Sequence, residues 1–380
     1  MTESVTGGRS RRHLVCVIHS LNGGGAERVM ALLASRLGSE LYRVTLVTLD
    51  DGANDRHRVD PSVQRVFLNT LATPTSIAPW RKLSRVRHRQ TTLRDCLVSL
   101  APDVVLSFCD RMNVDVLACL KSKPLNQHVP VVACERSDPS QQRLGWYWER
   151  KRRQLYPFAD AVVALTEASA GFLRDFSNRV EVVPSAIERP PVTSDRNLAS
   201  TANLVVAAGR LEREKRFDRM IRGFHSAFAT EPQWRLVIYG EGSLRPRLLE
   251  LASSLGIADR VELPGWTSPL ATPLAAATVF CLSSEYEGFP SVLLEAMSMG
   301  VPSVSVDCES GPREVIEHGV NGLLVEPSEK GVVEGLQRMA EDVEQRERMG
   351  VAGRAVIDTF GTDRMIASYD ALLQNILGDR

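Results

Sequence analysis

Two carboxylates, Glu287 and Glu295, stand with seven residues between them in CLSSEYEGFPSVLLEAMSMG (281–300). There an apolar run breaks at Glu285, turns through Gly288 and Pro290, and resumes with helical spacing. The pattern predicts a strand, a loop and a buried helix, with Gly300 at the helix end and Pro302 forbidding its continuation. Glu287 falls in the loop and Glu295 about one turn inside the helix. Free backbone N–H groups at a helix start favour an anion, and flanking carboxylates can grip neutral hydroxyls by accepting their hydrogen bonds. A phosphorylated sugar offers both kinds of group. The carboxylates would repel a diphosphate, so cations must converge on the same place, and the sequence supplies Arg210 and Lys215.

The elements that must carry those cations are legible. NLVVAAGR (203–210) reads as a buried strand releasing Gly209 and Arg210 into a loop, and LEREKRFDRMIRGFHSAF (211–228) as the helix after it. In an open α/β sheet, ligands bind beyond the carboxyl ends of the strands, where these residues fall.

The set Gly209-Arg210, Lys215, Glu287-Gly288-Phe289-Pro290 and Glu295 resembles the retaining nucleotide-sugar glycosyltransferases of family 4, the two-domain GT-B type also described as group 1. The resemblance runs from the glycine turn at 23–25 to the final helix. It implies an α/β fold of two Rossmann-like, doubly wound parallel-sheet domains facing across a cleft, with a C-terminal helix crossing back. It also implies that Arg210 and Lys215 hold a diphosphate, that Glu287 with Gly288, Phe289 and Pro290 meets the donor sugar, and that Glu295 meets the ribose. Gly24 and Gly25, in NGGGAER, would face phosphate or acceptor; any tight strand-to-helix turn could also use them.

Composition is compatible with this. At 380 residues and 43% hydrophobic, the chain suits two domains. No apolar run reaches the roughly 18 residues of a spanning helix, and the start has too short an apolar core for a signal peptide, so a cytoplasmic place is expected. The seven cysteines form no CxxC pair and read as buried reduced thiols. Net charge is zero, but residues 1–195 carry 27 Lys and Arg against 20 Asp and Glu, and residues 196–380 carry 19 against 26. A basic first half suggests an anionic partner, or simply attraction between the halves. WRKLSRVRHRQTTLR (80–94), with Leu83 and Val86 among many cations, could rest on an anionic membrane with Trp80 at the interface, or be a solvated basic face; His88 reads as a surface residue.

In order, the chain divides into a disordered start (1–12), an acceptor-side domain (13–188), a proline-bearing linker (189–202), a nucleotide-sugar domain (203–362) and the returning helix (363–380). Strand ends of the first domain offer Asp110, Asn113, Glu135, Arg136 and Ser137. The family often has a histidine where this chain has Cys134-Glu135-Arg136. Glu135 could deprotonate an acceptor hydroxyl or pair with Arg136 or another base. Ser185-Ala186 stands where the family often has Asn-Gly, so the resemblance carries no binding role onto those positions. Arg313 could add a third cation or pair with Glu317.

The expected reaction is transfer of a sugar from a nucleoside diphosphate sugar, a UDP-sugar first, to a hydroxyl of a glycan or polyprenyl-linked glycan in cell-surface polysaccharide synthesis. No cofactor and no metal are expected, since cations neutralise the diphosphate. A front-face route would let the leaving phosphate help to deprotonate the acceptor. The rivals are a sugar-nucleotide epimerase of the same fold and a catalytically silent sugar-nucleotide-binding protein. A dinucleotide oxidoreductase would want GxGxxG in the first turn, which is absent.

Overall fold

The computed structural model describes residues 11–71, 79–122, 128–189 and 203–378, without the side chains of 39–40, 79–84 and 122. Most of the predicted disordered start, nearly all of the linker, and the Trp80 and Leu83 side chains lie outside the described residues. The chain forms two compact units, Met1–Val183 with Ile366–Arg380, and Pro184–Met365.

The first unit runs β1 (His13–Ile18), α1 (Gly25–Glu40), β2 (Arg43–Thr48), β3 (Gln64–Phe67), α2 (Pro79–Leu100), β4 (Val104–Phe108), α3 (Asp110–Ser122), β5 (Val131–Cys134), α4 (Trp146–Leu155), a 3₁₀ turn at Tyr156–Phe158, β6 (Ala161–Ala164), α5 (Glu167–Arg174) and β7 (Val180–Val182). All pairings are parallel, in the order β3-β2-β1-β4-β5-β6-β7. Strands buried on both faces read as unbroken apolar runs, and all six residues of β1 are buried. The helices alternate: α1 buries Val29, Met30, Leu33 and Leu37, with Leu32 half-exposed, and Thr166 caps α5 by accepting from the Ser169 N–H.

In α2, Leu93 and Leu97 are fully buried, Arg89 pairs with Asp115, and His88 is exposed. Its described part is therefore a packed helix with a basic outer side. Among the described residues no helix is long and apolar enough to cross a membrane.

The second unit runs β8 (Leu204–Ala208), a 3₁₀ turn at Arg213–Lys215, α6 (Phe217–Ala227), β9 (Arg235–Tyr239), α7 (Arg245–Ser254), β10 (Val261–Gly265), α8 (Ala271–Ala276), β11 (Val279–Leu282), α9 (Ser291–Ser298), β12 (Ser303–Val306), α10 (Pro312–Val315), β13 (Leu323–Val325), α11 (Glu329–Glu341), α12 (Val343–Gly353), α13 (Val356–Phe360) and the start of α14 (Thr362–Gly378). Its sheet is again parallel, in the order β10-β9-β8-β11-β12-β13. Phe228 stacks on Trp234 with centroids 4.3 Å apart, in a core that α6 and α11 share with the strands.

From Ile366 onward α14 belongs to the first unit. Tyr369 is fully buried there, 6.4 Å from the Phe108 ring, and Tyr42 donates to Asp370 at 2.8 Å. The apolar stripe of the last helix thereby finds the surface it needs.

Both sheets reverse strand order once within the parallel set, between β1 and β4 and between β8 and β11. Loops leave such a reversal in opposite directions and open a crevice at the carboxyl ends of the strands. Gly209 to Lys215 follow β8 and Ser283 to Glu287 follow β11, so one crevice receives both groups of the second unit's candidates.

Candidate functional site

Beyond β8 the chain needs room for backbone. Gly240 has φ +138°, and a Cβ there would lie 1.9 Å from the Gly209 carbonyl oxygen. The chain from Gly209 is further held by Gly209 N–H donating to Tyr239 and Leu211 N–H to Glu241. The 3₁₀ turn then delivers Lys215, and the Ser283 hydroxyl at the end of β11 donates to the carbonyls of Lys215 and Arg216.

Lys215 lies across Gly209, its Cδ and Cε 3.4 Å from where a Cβ would stand, and its Nζ donates to Glu287 Oε1 at 2.7 Å. The Ser284 hydroxyl donates to the same oxygen at 2.6 Å. Ser310 donates to the Glu287 carbonyl, and Gly311, at φ +92°, lets the loop approach: a Cβ there would be 2.9 Å from Pro290 Cδ and 3.3 Å from Glu287 Cβ. The side chains of Lys215 and Glu287 are 16% and 8% exposed. Such a pair is held mainly by geometry, since desolvation offsets much of its attraction. An ammonium has three donors, so two remain for a ligand's oxygens.

Arg210 is 73% exposed and pairs with Glu214 at 2.9 Å. Glu214 in turn accepts the Glu285 N–H on its carbonyl. Burial pushes the Tyr286 hydroxyl up, reinforced by the charges of Glu214, Glu285 and Glu287 and opposed by Arg210. Both cations thus converge on the 285–287 loop. Glu295 is half-buried, four residues past the start of α9, and its carbonyl accepts from Ser298.

The Phe289 ring packs on Phe360, with centroids 5.3 Å apart. Arg313 binds Asp307 through two contacts of 2.9 Å rather than Glu317. The strand-end acid β12 supplies is nearer than the acid one helical turn on. Ser185, at the position given no role, lies 3.3 Å from the Ser291 hydroxyl at the start of α9. Ser283, Ser284, Ser310 and Glu214 escaped the sequence reading. Only the Ser-Ser pair ending an apolar strand offered a signal.

In the first unit, Gly24 caps α1 and Gly25 opens it, with open space where its Cβ would be. The Glu27 carboxylate bends back to Gly24, 2.2 Å from where a Cβ would sit. This first-turn acid already complements the helix N-terminus, which weakens the place as a site for phosphate.

Glu135 is fully buried, which sets aside its expected role at an acceptor hydroxyl. Tyr156 donates to it at 2.5 Å and Arg152 lies 3.6 Å away. The partner base is therefore Arg152, on α4, and not Arg136, whose guanidinium sits 5.0 Å above the Phe108 ring. Asn113 is also fully buried and donates to Cys134 O and Tyr156. Burial pushes the Glu135 carboxyl from 4.5 up to about 7, with Arg152 opposing and Asp110 adding.

A carboxyl raised on folding stabilises fully below its unfolded value and loses that stability as pH rises through the folded one. The difference corresponds to about 3 kcal/mol. Glu135→Gln, which keeps the Tyr156 hydrogen bond, should therefore flatten the fall in unfolding free energy between pH 4.5 and 8. Denaturant titrations of both proteins across that range measure it. Parallel pH curves would show that Glu135 ionises alike in both states.

Two family profiles match the chain: Glycosyltransferase Family 4 over residues 23–189 and Glycosyl transferases group 1 over residues 191–356. A Campylobacter jejuni protein named as an undecaprenol-linked GalNAc-alpha-(1->4)-GalNAc-alpha-(1->3)-diNAcBac alpha-1,4-N-acetyl-D-galactosaminyltransferase is 28% identical over 310 residues, 81% of this chain and 83% of that one. An exopolysaccharide phosphotransferase of Streptomyces coelicolor is 33% identical over 230 residues, 59% of this chain, and this chain spans only 24% of its length. Among solved structures, HepE of Anabaena in complex with UDP and glucose is similar in fold, with TM-score 0.77 and 18% identity, over 95% of this chain and 99% of that one.

Proposed function

Since the chain belongs to the glycosyltransferases of family 4 and group 1, we propose that it moves a sugar, with retention, from a UDP-sugar to a hydroxyl of a lipid-linked or cell-surface glycan. The observation that carries this reading is the Lys215–Glu287 contact, 72 residues apart in sequence and 2.7 Å apart in space. It sets a cation for phosphate directly beside an acceptor of hydroxyl hydrogen bonds. Arg210 and Lys215 stabilise charge on the departing diphosphate, where preorganised charges lower a barrier most. Glu287 orients the sugar and Glu295 the ribose, while the backbone of Gly288, Phe289 and Pro290 lines the donor. No metal is required in this scheme.

The UDP-bound HepE structure supports the nucleotide. The undecaprenol-linked substrate in the Campylobacter protein's name supports the acceptor class. The basic outer side of α2 supports peripheral contact with an anionic membrane on the inner face.

The test is a thermal-shift screen across nucleoside diphosphate sugars, followed by transfer from the best donor to polyprenyl diphosphate glycans, with and without a chelator. Metal-independent product with the donor's anomeric configuration is expected. An altered sugar nucleotide formed from donor alone would establish the epimerase, and binding without turnover the silent protein.

A further inference from the structure

Three consecutive carbonyls of the turn that carries Lys215 are held by the chain leaving β11. Glu214 accepts the Glu285 N–H at 2.7 Å, and Lys215 and Arg216 accept the Ser283 hydroxyl at 2.9 and 3.1 Å. Arg216 closes the turn at φ +49°, a left-handed conformation that its surroundings impose on a non-glycine residue. With its stem against Gly209, Lys215 brings Nζ to Glu287 from a fixed direction. Ser284, only 1% exposed, reaches the same carboxylate from the start of the loop. Among the described residues the Glu287 side chain accepts these two hydrogen bonds, both on Oε1, and Oε2 receives none. A carboxylate oxygen has two lone pairs, so the lysine and the serine fill this one.

We propose that Ser284 is a positioning residue of the donor site: by sharing Oε1 with Lys215 it holds the Glu287 carboxylate in one orientation and reserves Oε2 for a hydroxyl of the donor sugar. The proposal rests on the glycosyl-transfer reading above. Lys215 alone would not fix the carboxylate, because an ammonium is a point charge that either oxygen satisfies. A second donor on the same oxygen makes a swing of the group cost a hydrogen bond. A carboxylate oxygen can only accept, so Oε2 selects a sugar that presents a hydroxyl there and rejects one in which that hydroxyl is missing. An acceptor left unpaired in a largely buried place makes such rejection strong.

The test compares the full chain with S284A and S284C. The probes are UDP-N-acetylgalactosamine and UDP-hexoses as donors, each single-deoxy analogue of the best of them, and undecaprenyl diphosphate carrying N-acetylgalactosamine as acceptor. In the wild type one deoxy analogue should lose about 10- to 100-fold in kcat/KM, and the others much less. S284A should lose about 10-fold in kcat with the parent donor, keep its affinity for UDP, and penalise that one analogue by about threefold or less, because variant and analogue remove the same interaction. A serine with a merely structural role would slow all donors alike when removed, so the selectivity separates the two roles. S284C keeps the shape of the side chain with only a weak donor, and its selectivity should fall too; it decides the matter if S284A melts early. Wild-type selectivity in the folded variant, or turnover of the parent donor within about threefold of wild type, would overturn the assignment. So would a wild type that discriminates against no deoxy analogue. A wild type that transfers from none of these donors would instead overturn the glycosyl-transfer reading, and the role of Ser284 with it.

Discussion

Lys215→Ala should lower the transfer rate by roughly 30- to 1,000-fold, the 2–4 kcal/mol that loss of one preorganised oxyanion donor costs. Two effects add in the same direction. The leaving diphosphate loses an ammonium that the 3₁₀ turn fixes in place. Glu287, only 8% exposed, loses its cation and keeps the Ser284 hydroxyl alone on that oxygen. A partly buried carboxylate without its cation is costly and tends to reorient. Steady-state kinetics with saturating donor separate the outcomes: the fall should appear in kcat, because the interaction strengthens as charge develops on the phosphate. Lys215→Arg should restore little, since the lysine stem lies against Gly209 and a planar fork cannot repeat the single contact to Glu287. Turnover within about threefold of wild type would leave Lys215 as a structural partner of Glu287 and nothing more.

Gly240→Ala should destabilise the second unit strongly. The new methyl would meet the Gly209 carbonyl at 1.9 Å, and φ +138° is itself unfavourable for alanine. A backbone carbonyl cannot swing aside as a flexible side chain can. Gly209 N–H is bonded to Tyr239 and Gly240 N–H to Gly265, so relief on one side strains a sheet contact on the other. Overpacking and left-handed strain together come to roughly 2–5 kcal/mol. For a unit of this size that is a fall of about 10 °C in melting temperature. Because the same clash moves Gly209 and Arg210, activity at low temperature should fall as well. A melting point within about 2 °C of wild type would mean the turn has another conformation.

Both parallel sheets and the approach of Lys215 to Glu287 were legible in the sequence for physical reasons. Strands buried on both faces must be apolar throughout, as in LVVAA of β8, and glycines mark where the chain turns out of them. Lys215 and Glu287 stood out because the expected diphosphate sugar would demand cations for its phosphates and acceptors for its hydroxyls, whatever the intervening sequence. The partners of charges were not visible. Glu135 could pair with its neighbour Arg136, yet it meets Arg152 of α4, 3.6 Å away. Arg313 meets Asp307 across a strand end and not Glu317 along a helix. Such choices follow from strand order and loop path, which no local periodicity contains.

In the proposed reaction Arg210 and Lys215 form one diphosphate site beside Glu287. Calorimetric titration of UDP into the wild type and into the R210A/K215A variant tests it most directly. Charged hydrogen bonds of about 1.5–3 kcal/mol each should cost the double variant about 100-fold or more in affinity, with its fold intact by melting. Equal UDP affinity in the two proteins would contradict the site and the reaction assigned to it.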